Sequence, residues 1–169
     1  MSDNDATLGG MRIRLPLMDR LLDSDPDAPR DPPQTTLLAI ERLRTAVRRD
    51  MEALLNARRR RRPLPAGMVE LRRSPLGYGV PDPTAGSFTN EEQRQSLAAE
   101  VEAAIRRFEP RLTAIRVSLA KMPSDQREPW DRALKISIEA VLRSDPVPEQ
   151  ISFETTLRPV TMDIAVREG

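Results

Sequence analysis

The residues whose types and spacing could do chemistry are four acids, Glu91, Glu92, Glu102 and Glu109, and five consecutive arginines, Arg58, Arg59, Arg60, Arg61 and Arg62. Two carboxylates could cleave a glycosidic bond in cell wall if they stood about 5 to 5.5 Å apart for retention, or about 6.5 to 9.5 Å for inversion, across a cleft. Local features account for each acid first. Glu91 and Glu92 fall in the first turn of an expected helix, where the macrodipole favours negative charge. Glu102 precedes Arg106 by four residues, the better orientation for a helical ion pair. Glu109 has Arg111 beside it, which favours the charged carboxylate, whereas a general acid must hold its proton. The chain is therefore expected not to be an enzyme, and a peptidoglycan glycoside hydrolase is the alternative.

The arginine run could form a nucleic-acid patch. Net charge is only +1, however, and none of the five aromatics (Tyr78, Phe88, Phe108, Trp130, Phe153) lies near the run to stack on bases. A solvated helix end is the preferred reading, since cations there face the negative pole of the dipole, with a protein interface ranked next and nucleic acid after it. A nucleic-acid-binding module is the second alternative. The chain has no cysteine and no histidine, which removes disulfides, thiolate and imidazole ligands, cysteine nucleophiles and the usual triads. No cofactor, metal or small-molecule substrate is implied. No stretch approaches the ~18 apolar residues of a spanning helix. The opening MSDNDATLGG lacks the basic-then-apolar layout of a signal peptide, so a cytoplasmic protein is expected.

The elements that must position these residues follow from periodicity. Residues 1–33 are rich in Asp, Pro and Gly, as in DSDPDAPRDPP, and are expected to be a flexible arm. Within it Leu15, Met18, Leu21 and Leu22 recur at near-helical spacing, with Leu17 off the stripe, so one amphipathic turn is expected to dock on this domain or on a neighbour, self-docking being the preferred reading. A single domain is expected over 34–169. From Thr35 or Thr36 as N-cap, Ile40, Leu43, Val47, Met51 and Leu54 share one helical stripe running up to the arginines. Residues 63–87 carry Pro and Gly throughout, a structured connection on which the single tyrosine should pack. Thr89 and Glu92 read as a capping box opening a second helix with Leu97, Val101, Ala104, Ile105 and Phe108 on its stripe.

After Phe108 the period changes to two. Ile115, Val117 and Leu119 alternate with polar residues, as do Leu134, Ile136, Ile138 and Leu142, and then Val160, Met162, Ile164 and Val166. ISFETTL (151–157) reads as a weaker fourth strand. A sheet with one apolar face needs cover, and two helix stripes supply it. The expected fold is α+β and two-layered, with two main helices on one face of a mostly antiparallel sheet of three to four strands. At RFEPRL (107–112), Pro110 must stop the helix near Phe108. Arg111 shares odd parity with Ile115 and Val117, which would turn its guanidinium and the Glu109 carboxylate toward the covered face. A charge pair at the rim of a core adds little stability unless its other hydrogen bonds are met, so it either closes the corner by itself or waits for a neighbour.

The runs VRRDMEALLNARR (47–59), SPLGYGVPD (74–82), FEPRL (108–112) and ISFETTL together resemble the baseplate wedge family of contractile injection machines. That family includes type VI secretion (TssE) subunits and was historically labelled lysozyme-like in phages. The resemblance spans roughly residues 34–169. It implies structural work: joining larger baseplate wedge subunits (TssF- and TssG-like) and offering a sheet to which the first ring of sheath protein adds strands. The family's Glu-Pro-Arg motif carries over to Glu109, Pro110 and Arg111 as partner-binding residues needed for baseplate and sheath assembly. The uninterrupted arginine run, and Gly77 where a polar residue is expected, depart from the pattern without touching the motif. Strand addition needs an edge with unpaired N–H and C=O groups, and PVTMDIAV (159–166) is the expected edge.

Overall fold

A computed structural model of the chain describes residues 15–22, 35–59, 64–65, 67–81, 90–121, 134–144, 148–157 and 166–168. Three helices, α1 (Leu17–Leu21), α2 (Thr36–Asn56) and α3 (Glu91–Phe108), precede four strands, β1 (Leu112–Lys121), β2 (Leu134–Leu142), β3 (Glu149–Leu157) and β4 (Val166–Glu168). The sheet runs in the order β1-β2-β3-β4 with every neighbouring pair antiparallel, a meander. The α+β, two-layer expectation is met.

Alternation decides which face is covered. Along β2, Leu134, Ile136, Ile138, Ala140 and Leu142 are buried while the residues between them are not. On the opposite face Lys135 Nζ reaches Glu154 Oε1 at 2.8 Å. The covered face meets Val47, Met51, Leu54 and Leu55 of α2 and Leu97, Val101 and Ile105 of α3 in one cluster, with Phe153 the largest fully buried side chain. Each such side chain contributes about 1.5 to 3 kcal/mol by leaving water. Among the described residues no helix is long and apolar enough to cross a membrane.

Several local readings need correction. Thr35 caps α2, its hydroxyl accepting from Leu38 N–H at 3.3 Å. The helix stops at Asn56, however, two residues past the last position of the apolar stripe and short of the arginines. The backbone of 57–59 turns away to pair with Val80: Val80 N–H donates to the Ala57 carbonyl at 3.0 Å and Arg59 N–H to the Val80 carbonyl at 2.9 Å. Gly79 permits this approach, because its φ is +102° and a Cβ there would lie 2.3 Å from the Ala57 oxygen. The arginine run therefore does not form the last helical turn. Arg59 instead reaches Glu100 on α3 at 2.5 Å, and residues 60–62 lie outside the described ones.

The cap of α3 is Asn90, whose side chain accepts from Glu92 N–H at 3.1 Å; the expected Thr89 lies outside the described residues. ISFETTL, the weaker strand by pattern, is part of the nine-residue β3, paired with β2 along its whole length. Of the expected terminal strand only Val166 falls in a described element, β4, and 159–165 lie outside the described residues. The parity argument for Arg111 also fails as stated. A bulge shifts the β1 register between Thr113 and Arg116, with Ala114 at φ +49°, so Leu112 is buried on the same side as Ile115 and Val117.

Candidate functional site

The corner between α3 and β1 is built by its own backbone. Glu109 ends α3, its N–H donating to the Ile105 carbonyl at 2.8 Å. Pro110 has no N–H to continue the helix and its fixed φ suits the second position of a tight turn. Leu112 N–H then donates back to the Glu109 carbonyl at 3.2 Å, closing that turn, and Arg143 N–H donates to the Arg111 carbonyl at 2.8 Å. Four residues thus convert a helix into an edge strand.

The side chains of Glu109 and Arg111 meet directly. Arg111 Nε donates to Glu109 Oε1 at 2.5 Å, Arg111 Nη2 donates to Glu109 Oε2, and the Arg111 backbone N–H donates to Oε1 at 3.2 Å. The same Nη2 reaches Asp50 Oδ2 on α2 at 2.7 Å. The Glu109 side chain is 4% exposed and that of Arg111 25%, so the acid is the buried partner and the guanidinium bridges it to the surface. Burial disfavours the charged guanidinium, but the hydrogen bonds to Glu109 and Asp50 outweigh it and hold its proton more tightly than usual. A planar fork fits this bidentate task where lysine would not.

Beside the pair opens a cavity of about 220 Å³, lined by Asp50, Ala53, Leu54, Tyr78, Phe108, Glu109 and Arg111. Its aromatic wall is an edge-to-face pair, Tyr78 on Phe108, with ring centroids 5.2 Å apart. Tyr78 is delivered by two 3₁₀ turns, Val69–Arg72 and Pro75–Gly77, the second capped by Ser74, whose hydroxyl accepts from Leu76 N–H. Gly77 is fixed by packing, since a Cβ there would stand 2.3 Å from the Arg72 carbonyl oxygen. That explains a glycine where a polar residue was expected. Burial, and then the charges of Asp50 and Glu109, push the Tyr78 phenol above its ordinary value.

The charged row continues outward. Arg49 reaches Asp50 at 3.1 Å and forks onto Asp19 of α1 at 2.7 and 3.1 Å. The hydrogen bond from Arg49 holds the Asp19 carboxyl below its ordinary value. Leu15 packs on the core, yet Leu17, Met18, Leu21 and Leu22 are exposed. The amphipathic turn is thus held on this domain by an ion pair and one leucine rather than by its apolar stripe. The remainder of 1–33 lies outside the described residues.

A family model described as baseplate wedge protein gp25 matches residues 41–147, well over half of the chain. The chain belongs to the baseplate wedge family. No curated protein matches it. The matched span carries most of α2, all of α3, the corner, β1 and β2, and so holds Asp50, Tyr78, Phe108 and the Glu-Pro-Arg motif together. Family membership makes the coarse role structural, assembly with other baseplate proteins.

The other sequence candidates lie elsewhere in this wedge fold. Glu91 pairs with Arg94, and Glu102 with Arg106 at 2.7 Å, so each acid weighed for hydrolysis, Glu92 apart, sits in an ion pair with an arginine. Among the described residues no three His, Cys, Asp or Glu side chains gather into a metal-sized group. Sequence reasoning missed Asp50, which joins α2 to the corner from 61 residues away, and Arg49 behind it. The available signal was spacing. Asp50 lies three residues after Val47 and four before Leu54, which puts a lone acid at the border of the apolar stripe.

Proposed function

We propose that the chain is the wedge subunit of a type VI secretion baseplate, working in the cytoplasm, and that Glu109, Pro110 and Arg111 form a docking point for the larger TssF- and TssG-like wedge subunits. In this reading the sheet then templates the first ring of sheath protein by strand addition. The observation that supports it is the arrangement of the corner. A buried carboxylate and a bridging guanidinium stand at the rim of a cavity with one aromatic wall, where a neighbour's backbone can add hydrogen bonds to charges already aligned. Such charges contribute more to register and partner choice than to the stability of the isolated fold.

The test is Arg111→Ala. Removing the guanidinium leaves the buried Glu109 carboxylate with one backbone donor, a loss of about 3 to 5 kcal/mol, set against a typical stability of about 5 to 15 kcal/mol. The isolated domain is expected to stay folded, with circular dichroism near that of the parent. Fluorescently tagged sheath is expected not to polymerise in cells carrying the variant. Normal sheath assembly would reduce the motif to a corner, and gross unfolding would make it a purely structural clasp.

A further inference from the structure

The cavity beside the corner has a sign of its own. Its charged lining is two carboxylates, Asp50 and Glu109, against one guanidinium, Arg111, which leaves its walls with a net charge of −1. The two acids are unequally placed. Glu109 is the buried one, and both of its oxygens already accept from Arg111. Asp50 is 37% exposed, with Oδ1 accepting from Arg49 and Oδ2 from Arg111. A carboxylate has about four lone-pair sites, so Asp50 keeps acceptor capacity that a neighbouring molecule can reach.

The aromatic wall selects the same sign. The negative face of an aromatic ring attracts a cation. Phe108 already has one near it, since Arg107, which is not among the lining residues, stands 6.0 Å from its ring centre. Tyr78 lies within the fields of both Asp50 and Glu109, which raise its phenol after burial has done so. An anion entering here would meet Arg111, but against two carboxylates and an electron-rich ring. Size narrows the choice further. A volume of about 220 Å³ falls short of the roughly 300 to 1,000 Å³ of small-molecule pockets and suits the head of one side chain.

We infer that the cavity is a receptor for a cationic side chain, an arginine or lysine of a neighbouring wedge subunit, set against Tyr78 and hydrogen-bonded to Asp50. The identity of that neighbour rests on the proposed function, whereas the sign of the charge does not. Arg111 then acts as the brace that holds both acids in place, and Asp50 is the group that touches the partner.

The sign is tested on the isolated full chain, which has no cysteine. Ala53→Cys puts a thiol at an exposed position of the cavity wall. It is reacted with two methanethiosulfonates of similar size, one carrying trimethylammonium and the other sulfonate. Relative to N-acetylcysteinamide, the ratio of the two rates is expected to favour the cation about tenfold at low salt. Asp50→Asn in the same chain, or salt at about 1 M, is expected to remove that preference. A ratio equal to that of the reference, or one favouring sulfonate, overturns the cationic occupant.

Occupancy is tested on the parent chain, free and in assembled baseplates, by hydroxyl-radical footprinting read at Tyr78 with mass spectrometry. Oxidation of Tyr78 is expected to fall about tenfold on assembly, as for a pocket from which a partner excludes water. Baseplates that contain the chain with Tyr78 as reactive as before overturn the receptor and leave the proposed function standing. A parent chain that enters no baseplate overturns the proposed function and the receptor with it.

Discussion

At the scale of single residues, the corner shows how a charge pair can be both legible and misread. Pro110 announces the end of α3 and the start of a turn, and a fixed φ with no donor is enough to place both. The side on which Arg111 lies was reasoned from parity with Ile115, and parity does not survive the bulge at Thr113 to Arg116. Arg111 still reaches Glu109, because the turn and not the strand sets its direction. Asp50 stayed unread because its spacing marks a lone acid at the border of the stripe and says nothing of a partner 61 residues away. Tyr78, the single tyrosine, gives a direct readout of this pocket. Its phenol is raised above 10.0 by burial and by the charges of Asp50 and Glu109. The folded chain therefore keeps the proton at a pH where the unfolded chain has released it. The resulting contribution is whole below pH 10 and is lost as pH rises through the folded-state value. Tyrosinate absorbance is expected to rise with a midpoint above 10 in the folded protein, and Asp50→Asn is expected to bring that midpoint down. A midpoint at or below 10 in the parent would contradict the burial of this ring.

At the scale of elements, boundaries were the weakest part of the sequence reading, and each error has a local cause. The capping role passed from Thr89 to Asn90 because an asparagine one residue later supplies an equally good acceptor for Glu92 N–H. Asn90→Ala is expected to cost about 1 kcal/mol, measured as a shift in urea midpoint by circular dichroism, and no shift would mean that the end of α3 is held by packing alone. The helix α2 stops before the arginines because Val80 takes over the backbone groups of 57–59, a long-range pairing that depends on Gly79. Helical stripes were readable throughout: Leu43, Val47, Met51 and Leu54 on α2 and Leu97, Val101 and Ile105 on α3 are all buried. β3 was underrated because Glu154, Thr155 and Thr156 look polar, while its buried face is carried by Ile151, Phe153 and the methyl-bearing Thr155.

At the scale of the whole molecule, two periodicities sufficed for a two-layer α+β architecture, because a half-apolar sheet and two striped helices have few other ways to leave water. Alternation reveals faces and not neighbours, so the strand order was beyond it. Phe153 sits at the centre of the cluster on β3, between β2 and β4. Phe153→Ala is expected to cost about 3 to 5 kcal/mol, read as a fall in urea midpoint. A loss below 1 kcal/mol would show that the two layers do not depend on this contact. The order β1-β2-β3-β4 also bears on how the chain is made. Each strand lies beside the one synthesised just before it, so a chain leaving the ribosome can zip one hairpin after another and never has to hold a gap open for a later segment.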